Sequence, residues 1–196
     1  MKTNRKADYD ISPLILNRWS PRAMSGEELN EKEFMPLFEA ARWAPSSYNN
    51  QHWRFIYARR NTKYWEPFFN LLVPGNQAWA KNAALLVIVI SKKTFDRNGK
   101  AARTHTFDAG AAWENLALEG SRKDLVVHGM EGFDYEKARE LLKLSDEYEV
   151  EAMVAIGKPG KKEDLPEQMQ AYEQPSERRP LNEIVFEGEF KDAQVK

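Results

Sequence analysis

The amino-acid sequence predicts an α+β fold. Two segments of helical periodicity precede the first long apolar strand, and the strand candidates after it alternate irregularly with helical stretches rather than repeating as βαβ units. A length of 196 residues fits one domain, 1–196. A chain of that size buries about 70% of the surface its unfolded form exposes. No internal repeat or linker divides it.

After a polar start, residues 12–17 lead into Arg18-Trp19-Ser20-Pro21-Arg22, where Pro21 stops any helix. Ser25 with Glu28, or Asn30 with Glu33, offers a capping box, and Phe34, Leu37, Phe38 and Ala41 then share a helical face. Pro36 removes an internal hydrogen bond, so a break is expected near Met35, with the second piece reaching Trp43 and ending before Pro45. Trp53 to Ala58 is a short strand, and Ala83 to Ile90 is a longer one, apolar enough to be buried on both faces. Between them, Tyr64 to Phe69 forms a helix and Val73 to Asn76 a turn.

Residues 107–118 carry apolar side chains around nearly the whole circumference of a helix, so that helix must be enclosed, by a second subunit or as the centre of the core. Gly129 and Gly132 break the pattern over residues 128–134, and Tyr135, Ala138 and Leu142 mark another helix. Val150, Ala152, Val154 and Ile156 alternate as a strand ending in the turn at 157–160. The remainder is polar to Ser176, basic at Arg178-Arg179, and apolar again at Leu181, Ile184, Val185 and Phe186.

Composition removes several classes of chemistry. Charges cancel to a formal −1, leaving no global field for a nucleic-acid partner, so any anion site must be local. The absence of Cys excludes disulfides, thiolate nucleophiles and Cys-bound metals. The longest apolar run, Ala83 to Ile90, is far short of the roughly 20 residues of a membrane span, and the first ten residues lack a signal-peptide core. A cytoplasmic protein with no membrane partner is therefore expected. His52, His105 and His128 are too scattered for a metal site, and no Rossmann, Walker or nucleophile-elbow pattern is present.

Two features point to a ligand. In Ala44 to Trp53, the hydroxyls and amides of Ser46, Ser47, Asn49, Asn50 and Gln51 suit the edge of a flat, heteroatom-rich ring, although the same residues also build ordinary turns. Arg18 with Arg22, and Arg178 with Arg179, are basic pairs beside prolines. Together they can hold a phosphate dianion, or each can stand as a solvated surface pair.

Arg18-Trp19-Ser20-Pro21-Arg22, the stretch 44–53, Glu131-Gly132-Phe133 and Arg178-Arg179-Pro180-Leu181 occur in the order and spacing of the nitroreductase family of FMN-dependent NAD(P)H oxidoreductases, which this chain resembles over most of its length. The resemblance implies a mixed sheet flanked by helices, in an intertwined homodimer with FMN at each of two interfaces. It places Arg18, Trp19, Ser20 and Arg22 in the first FMN segment, with Arg22 near the flavin pyrimidine. Pro45, Ser46, Ser47, Asn49 and Gln51 become the partner's contribution. Asn76 meets the polar edge of the ring, Gly129, Met130, Glu131 and Gly132 approach it near N5, and Arg178 with Arg179 contacts the phosphate. The implied reaction takes NAD(P)H as co-substrate and passes electrons to a small-molecule acceptor such as a nitroaromatic or quinone. The chemistry is the cofactor's, so no catalytic residue is assigned. The alternative is an FMN-binding sensor or store with little turnover. Two departures bear on the pocket: His52 stands where the family has proline, and Arg122-Lys123-Asp124 replaces a small, Gly-containing stretch.

Overall fold

In the computed structural model, which describes residues 3–190, helix α1 (Pro13–Asn17) opens on Ser12, whose side chain accepts from the Leu14 N–H. The chain reaches α2 (Glu31–Arg42) through the full capping box of Asn30 and Glu33. Contrary to the expected break near Met35, α2 runs unbroken through Pro36. An interior proline costs about 3 kcal/mol, and here Phe34, Leu37 and Ala41, on both sides of it, are completely buried. Burial of that apolar surface offsets the lost hydrogen bond.

Next come β1 (Trp53–Arg59), α3 (Trp65–Phe69) and α4 (Pro74–Ala80). Val73 to Asn76 is therefore not a turn. Pro74 takes the first helical position, where a missing N–H leaves no bond unmade. The chain continues through β2 (Leu85–Lys92), α5 (His105–Arg122), β3 (Val126–Met130), α6 (Tyr135–Leu142), β4 (Tyr148–Gly157) and the short α7 (Glu167–Gln170). Strand β3 was not expected, because Gly129 interrupts the alternation by which a strand is read.

The strand order is β1-β2-β4-β3, and each described pairing is antiparallel. A mixed sheet was expected. β2 and β3 do run the same way, since both are antiparallel to β4, and α5 is the crossover between them. β4 lies between the two, so no parallel ladder forms among the described strands. Leu86, Ile88 and Ile90 of β2 face a layer built by α3, α4 and α6, whereas Leu85, Val87 and Val89 face α2 and α5. The expected burial of this strand on both faces is observed.

The β2–β4 register shifts between Val89 and Ile90: Val89 pairs with Ala152 and Ile90 with Val150, leaving Glu151 as an extra residue. This bulge reverses the facing of everything before it. Val150 consequently lies in the layer with Met153 and Ala155, while Val154 and Ile156 lie in the opposite one. The single face expected for Val150, Ala152, Val154 and Ile156 is thereby corrected. On α5, Ala109, Ala112, Leu116 and Ala117 are buried against the sheet, but Phe107 is 80% exposed, so the chain by itself encloses only one side of that helix.

Candidate functional site

Two depressions share Arg18 and Ser20, and the larger lies beside the N-terminal half of α5. The larger, an open cleft of about 610 Å³, has walls from β2 (Val89), α5 (Thr106, Ala109, Gly110, Trp113, Glu114), the end of β3 (Gly129, Met130, Glu131), Tyr135 of α6 and the bulged Glu151 with Ala152. The smaller, about 370 Å³, is a basic crevice lined by Arg5, Arg18, Trp19, Ser20, Arg22, His128 and Arg178, with Tyr172, Gln174 and Ser176. Arg18 and Ser20 belong to both. The volume of the cleft lies within the range usual for small-molecule sites.

The crevice is closed by the C-terminal segment. Glu173 accepts hydrogen bonds from the Arg22 and Ala23 N–H groups at 2.8 and 2.9 Å, which draws residues 172–178 over the Arg18–Arg22 stretch. Arg18 Nη1 donates to Ser20 Oγ at 3.3 Å, and its Nε lies 3.5 Å from Glu114. Arg5 donates through Nη1 to the Arg18 carbonyl at 2.8 Å, while its Nε is buried with no hydrogen-bond partner. Burial, and after it the neighbouring Arg178 and Arg18, holds the Arg5 guanidinium below its ordinary value, with Glu177 opposing. Three guanidiniums crowded around an unpartnered donor form an environment that a dianion would stabilise.

His128 completes the crevice. Its Nδ1 lies 2.8 Å from the Pro21 carbonyl, which can only accept, so that nitrogen carries the proton. Burial pushes the ring below the ordinary histidine range despite the opposing bond to Pro21, and Arg22 pushes the same way. The imidazole is therefore neutral near pH 7.

Gly129 and Gly132 are required by close approach rather than by unusual backbone angles. A Cβ on Gly129 would stand 3.1 Å from the Trp113 ring, and one on Gly132 would stand 2.8 Å from Asn76 Nδ2. Asn76 donates to the Gly132 carbonyl at 2.9 Å and accepts from Trp79 Nε1 at 3.3 Å, so it anchors the 129–132 loop without lining the cleft.

The structure brings Arg18, Trp19, Ser20, Arg22 and Arg178 together in the crevice, and Gly129, Met130 and Glu131 beside them in the cleft. Arg179 is exposed and lines neither. Pro45, Ser46, Ser47, Asn49 and Gln51 also stand outside the cleft of their own chain. Their loop is held from behind: the Ser47 N–H donates to Asp108 Oδ2 at 3.0 Å, and the Gln51 N–H to Ser46 Oγ at 3.0 Å. Tyr48, Asn49 and Gln51 all have positive φ, at 52°, 53° and 52°. Left-handed backbone at three non-glycine positions is strained and persists only where the surroundings dictate it. His52 does not loosen this turn. It is fully buried, bonds the Lys92 carbonyl through Nδ1 at 2.8 Å, and points Nε2 at Asp108 from 3.6 Å. Arg122 pairs with Glu119 and lines neither depression.

Sequence reasoning missed Arg5, the neutral role of His128, and Glu151. Arg5 lies in an ordinary polar N-terminus, and nothing in the sequence marks residue 151 as a bulge.

The model of the nitroreductase family matches residues 15–158. The chain belongs to the nitroreductase family. Among solved structures, an oxidoreductase containing FMN is 42% identical, with a TM-score of 0.92 over 97% of this chain and 98% of that one. Protein DrgA of Synechocystis sp. is 30% identical over 170 residues, covering 70% of this chain and 77% of that protein. A nitroreductase family protein of Clostridium difficile 630 shares the fold at 22% identity, with a TM-score of 0.69 over 90% of this chain and 97% of that one. Among the described residues, no helix of this nitroreductase-family chain is long and apolar enough to cross a membrane.

Proposed function

We propose that the chain, acting as one domain in a homodimer, is an FMN-dependent oxidoreductase. The observation that carries this reading is that a basic crevice and an open cleft share Arg18 and Ser20. FMN joins a phosphate to a planar ring and has that shape and charge pattern. Arg5, Arg18, Arg22 and Arg178 would hold the phosphate, with His128 Nε2 as a neutral neighbour. Trp113, Gly129 and Met130 would bound the ring.

Bound FMN supplies two-electron redox chemistry, accepting a hydride from NAD(P)H and reducing a small-molecule acceptor such as a nitroaromatic or quinone. The protein binds, orients and excludes water. Gly129 lets the Trp113 ring pack closely on the strand as part of the cleft wall, and the Asn76 anchor fixes the backbone of residues 129–132.

The second subunit completes the site in this reading. The strained loop at 45–51 lies outside its own cleft, and Phe107, Tyr48 and Trp43 are 80%, 73% and 72% exposed. A partner offering its Pro45, Ser46, Ser47, Asn49 and Gln51 over the cleft would bury such a surface. Arg179 and Asn76 take supporting roles, at the crevice rim and behind the loop.

Anaerobic addition of NADH or NADPH to the yellow protein tests the reading: bleaching within minutes is expected, and absence of bleaching would instead identify a flavin-binding sensor or store. Steady-state rates with a quinone should give parallel double-reciprocal lines, and intersecting lines would contradict one pocket used by both substrates in turn.

A further inference from the structure

We propose that Glu151 donates the proton to the electron acceptor reduced in the cleft, and that Ser91 and His105 resupply it. The inference rests on the flavin-oxidoreductase reading and adds an acid to a site for which none was assigned. Three independent features of the chain lead to it.

The first is the bulge. Glu151 is the extra residue of β4 where Val89 and Ile90 pair with Ala152 and Val150, so its side chain is re-aimed by the irregularity and stands on the cleft wall. A bulge costs ladder hydrogen bonds and commonly marks a site where a side chain must be re-aimed. A carboxylate gains nothing structurally from an apolar sheet beside Val89 and Ala152.

The second is the hydrogen-bonded line behind it. Ser91 Oγ donates to Glu151 Oε1 in a short bond and lies 2.7 Å from His105 Nδ1, which is itself 3.6 Å from Glu151 Oε1. A hydroxyl has one hydrogen. With that hydrogen given to Oε1, the contact to His105 requires the proton on Nδ1, and the line reads Nδ1–H to Oγ–H to Oε1. Ser91 is completely buried, so it cannot meet a substrate as a nucleophile, and its hydroxyl serves as a link. His105, at the first position of α5, and Glu151 keep 18% and 15% of their side chains exposed, one toward each end of the line.

The third is the surrounding charge. The groups facing Glu151 are Ser91 from β2, His105 and the Thr106 hydroxyl from α5, Glu131 from the end of β3, and Tyr135 from α6. Burial, followed by Glu131 and Glu151, pushes the Tyr135 hydroxyl above its ordinary value, making it a poorer acid than a free phenol. Among the described residues no histidine is hydrogen-bonded toward Glu131, whereas Ser91 links Glu151 to His105.

The proton balance is simple. A quinone receiving two electrons and one hydrogen from the reduced flavin becomes a phenolate, and needs one proton to leave as the hydroquinone. The acid hydrogen sits on Glu151 Oε2, since Oε1 accepts from Ser91; that O–H bond breaks and the substrate O–H forms. As solvent protonates His105 Nε2, Nδ1 gives its hydrogen to Ser91 and Ser91 gives its own to Glu151, which restores the acid, and exchange with solvent returns the ring to its Nδ1–H form. Ser91 and His105 are positioning and relay residues.

Glu151→Gln keeps the shape and removes the proton. In the holoprotein reduced chemically with dithionite, reoxidation by benzoquinone is expected to slow about a hundred-fold, while reoxidation by ferricyanide, which takes electrons without a proton, stays unchanged. An unchanged benzoquinone rate, or equal slowing with both oxidants, overturns the relay. Nitrogen NMR of the wild-type protein should show His105 protonated at Nδ1, with that hydrogen bond lost in Ser91→Ala; a His105 ring bare at Nδ1 also overturns it. Failure of NAD(P)H to bleach the protein, with the benzoquinone difference intact, refutes the nicotinamide part of the functional reading alone. A protein that takes up no flavin refutes both.

Discussion

Arg5→Ala isolates the phosphate half of the site. Arg5 spends Nη1 on the Leu16 and Arg18 carbonyls, at 3.4 and 2.8 Å, and its buried Nε has no partner in the protein. At least one N–H is thus left for an anion. A hydrogen bond to a charged group contributes about 1.5–3 kcal/mol, and about 1.4 kcal/mol corresponds to tenfold in affinity. Loss of that one bond should raise the dissociation constant for FMN about ten- to hundred-fold. Riboflavin, which lacks the phosphate, should bind the variant and the parent equally. Titration of apoprotein followed by quenching of flavin fluorescence measures both. The variant's own stability should change little, because lost bonds to two carbonyls are countered by relief of repulsion from Arg178 and Arg18. Equal weakening for FMN and riboflavin, or none for FMN, would refute the assignment of the crevice.

Three other outcomes follow from particular contacts. A Cβ on Gly120 would stand 2.3 Å from Val127 Cγ2, so Gly120→Ala should cost about 1–3 kcal/mol by overpacking α5 against β3, read as a lower melting temperature. His128 is held below its ordinary value, so between the folded and unfolded values the unfolded chain binds more protons. Its contribution is fully present above the ordinary histidine range and is lost as pH falls through the folded value. The His128 ring should accordingly titrate below about 6.5 by NMR, and His128→Gln should flatten the decline in melting temperature with acid. Asp108→Ala strips the Ser47 N–H of its acceptor, so it should destabilise the protein by about 1–3 kcal/mol and weaken FMN binding, whereas Asp108→Asn, which keeps an acceptor oxygen, should do less of both.

Periodicity and capping made much of the fold legible. The Asn30–Glu33 box starts α2, and the apolar run of β2 is buried on both faces as its composition demands. What stayed hidden depends on contacts distant in sequence. Pro36 is tolerated because buried neighbours hold both sides of it, and β3 pairs with β4 despite Gly129 because Trp113 occupies the space a side chain would fill. At the site, residue types left the arginine pairs open between a phosphate site and a solvated surface, and the resemblance to the nitroreductase family is what assigned them and residues 129–131 to FMN. Arg179 could not be separated from Arg178 by sequence, since only the path of the C-terminal segment decides which one lines the crevice. Glu151 was invisible because a one-residue register shift has no composition of its own, and Ser91 and His105 reach it from two other elements.

The visible absorption spectrum of the purified protein, with the chromophore released by denaturation and identified by mass, is the most direct test. A flavin spectrum with FMN released at one molecule per chain is the expected result. A colourless protein that takes up no FMN when the cofactor is added would contradict the account.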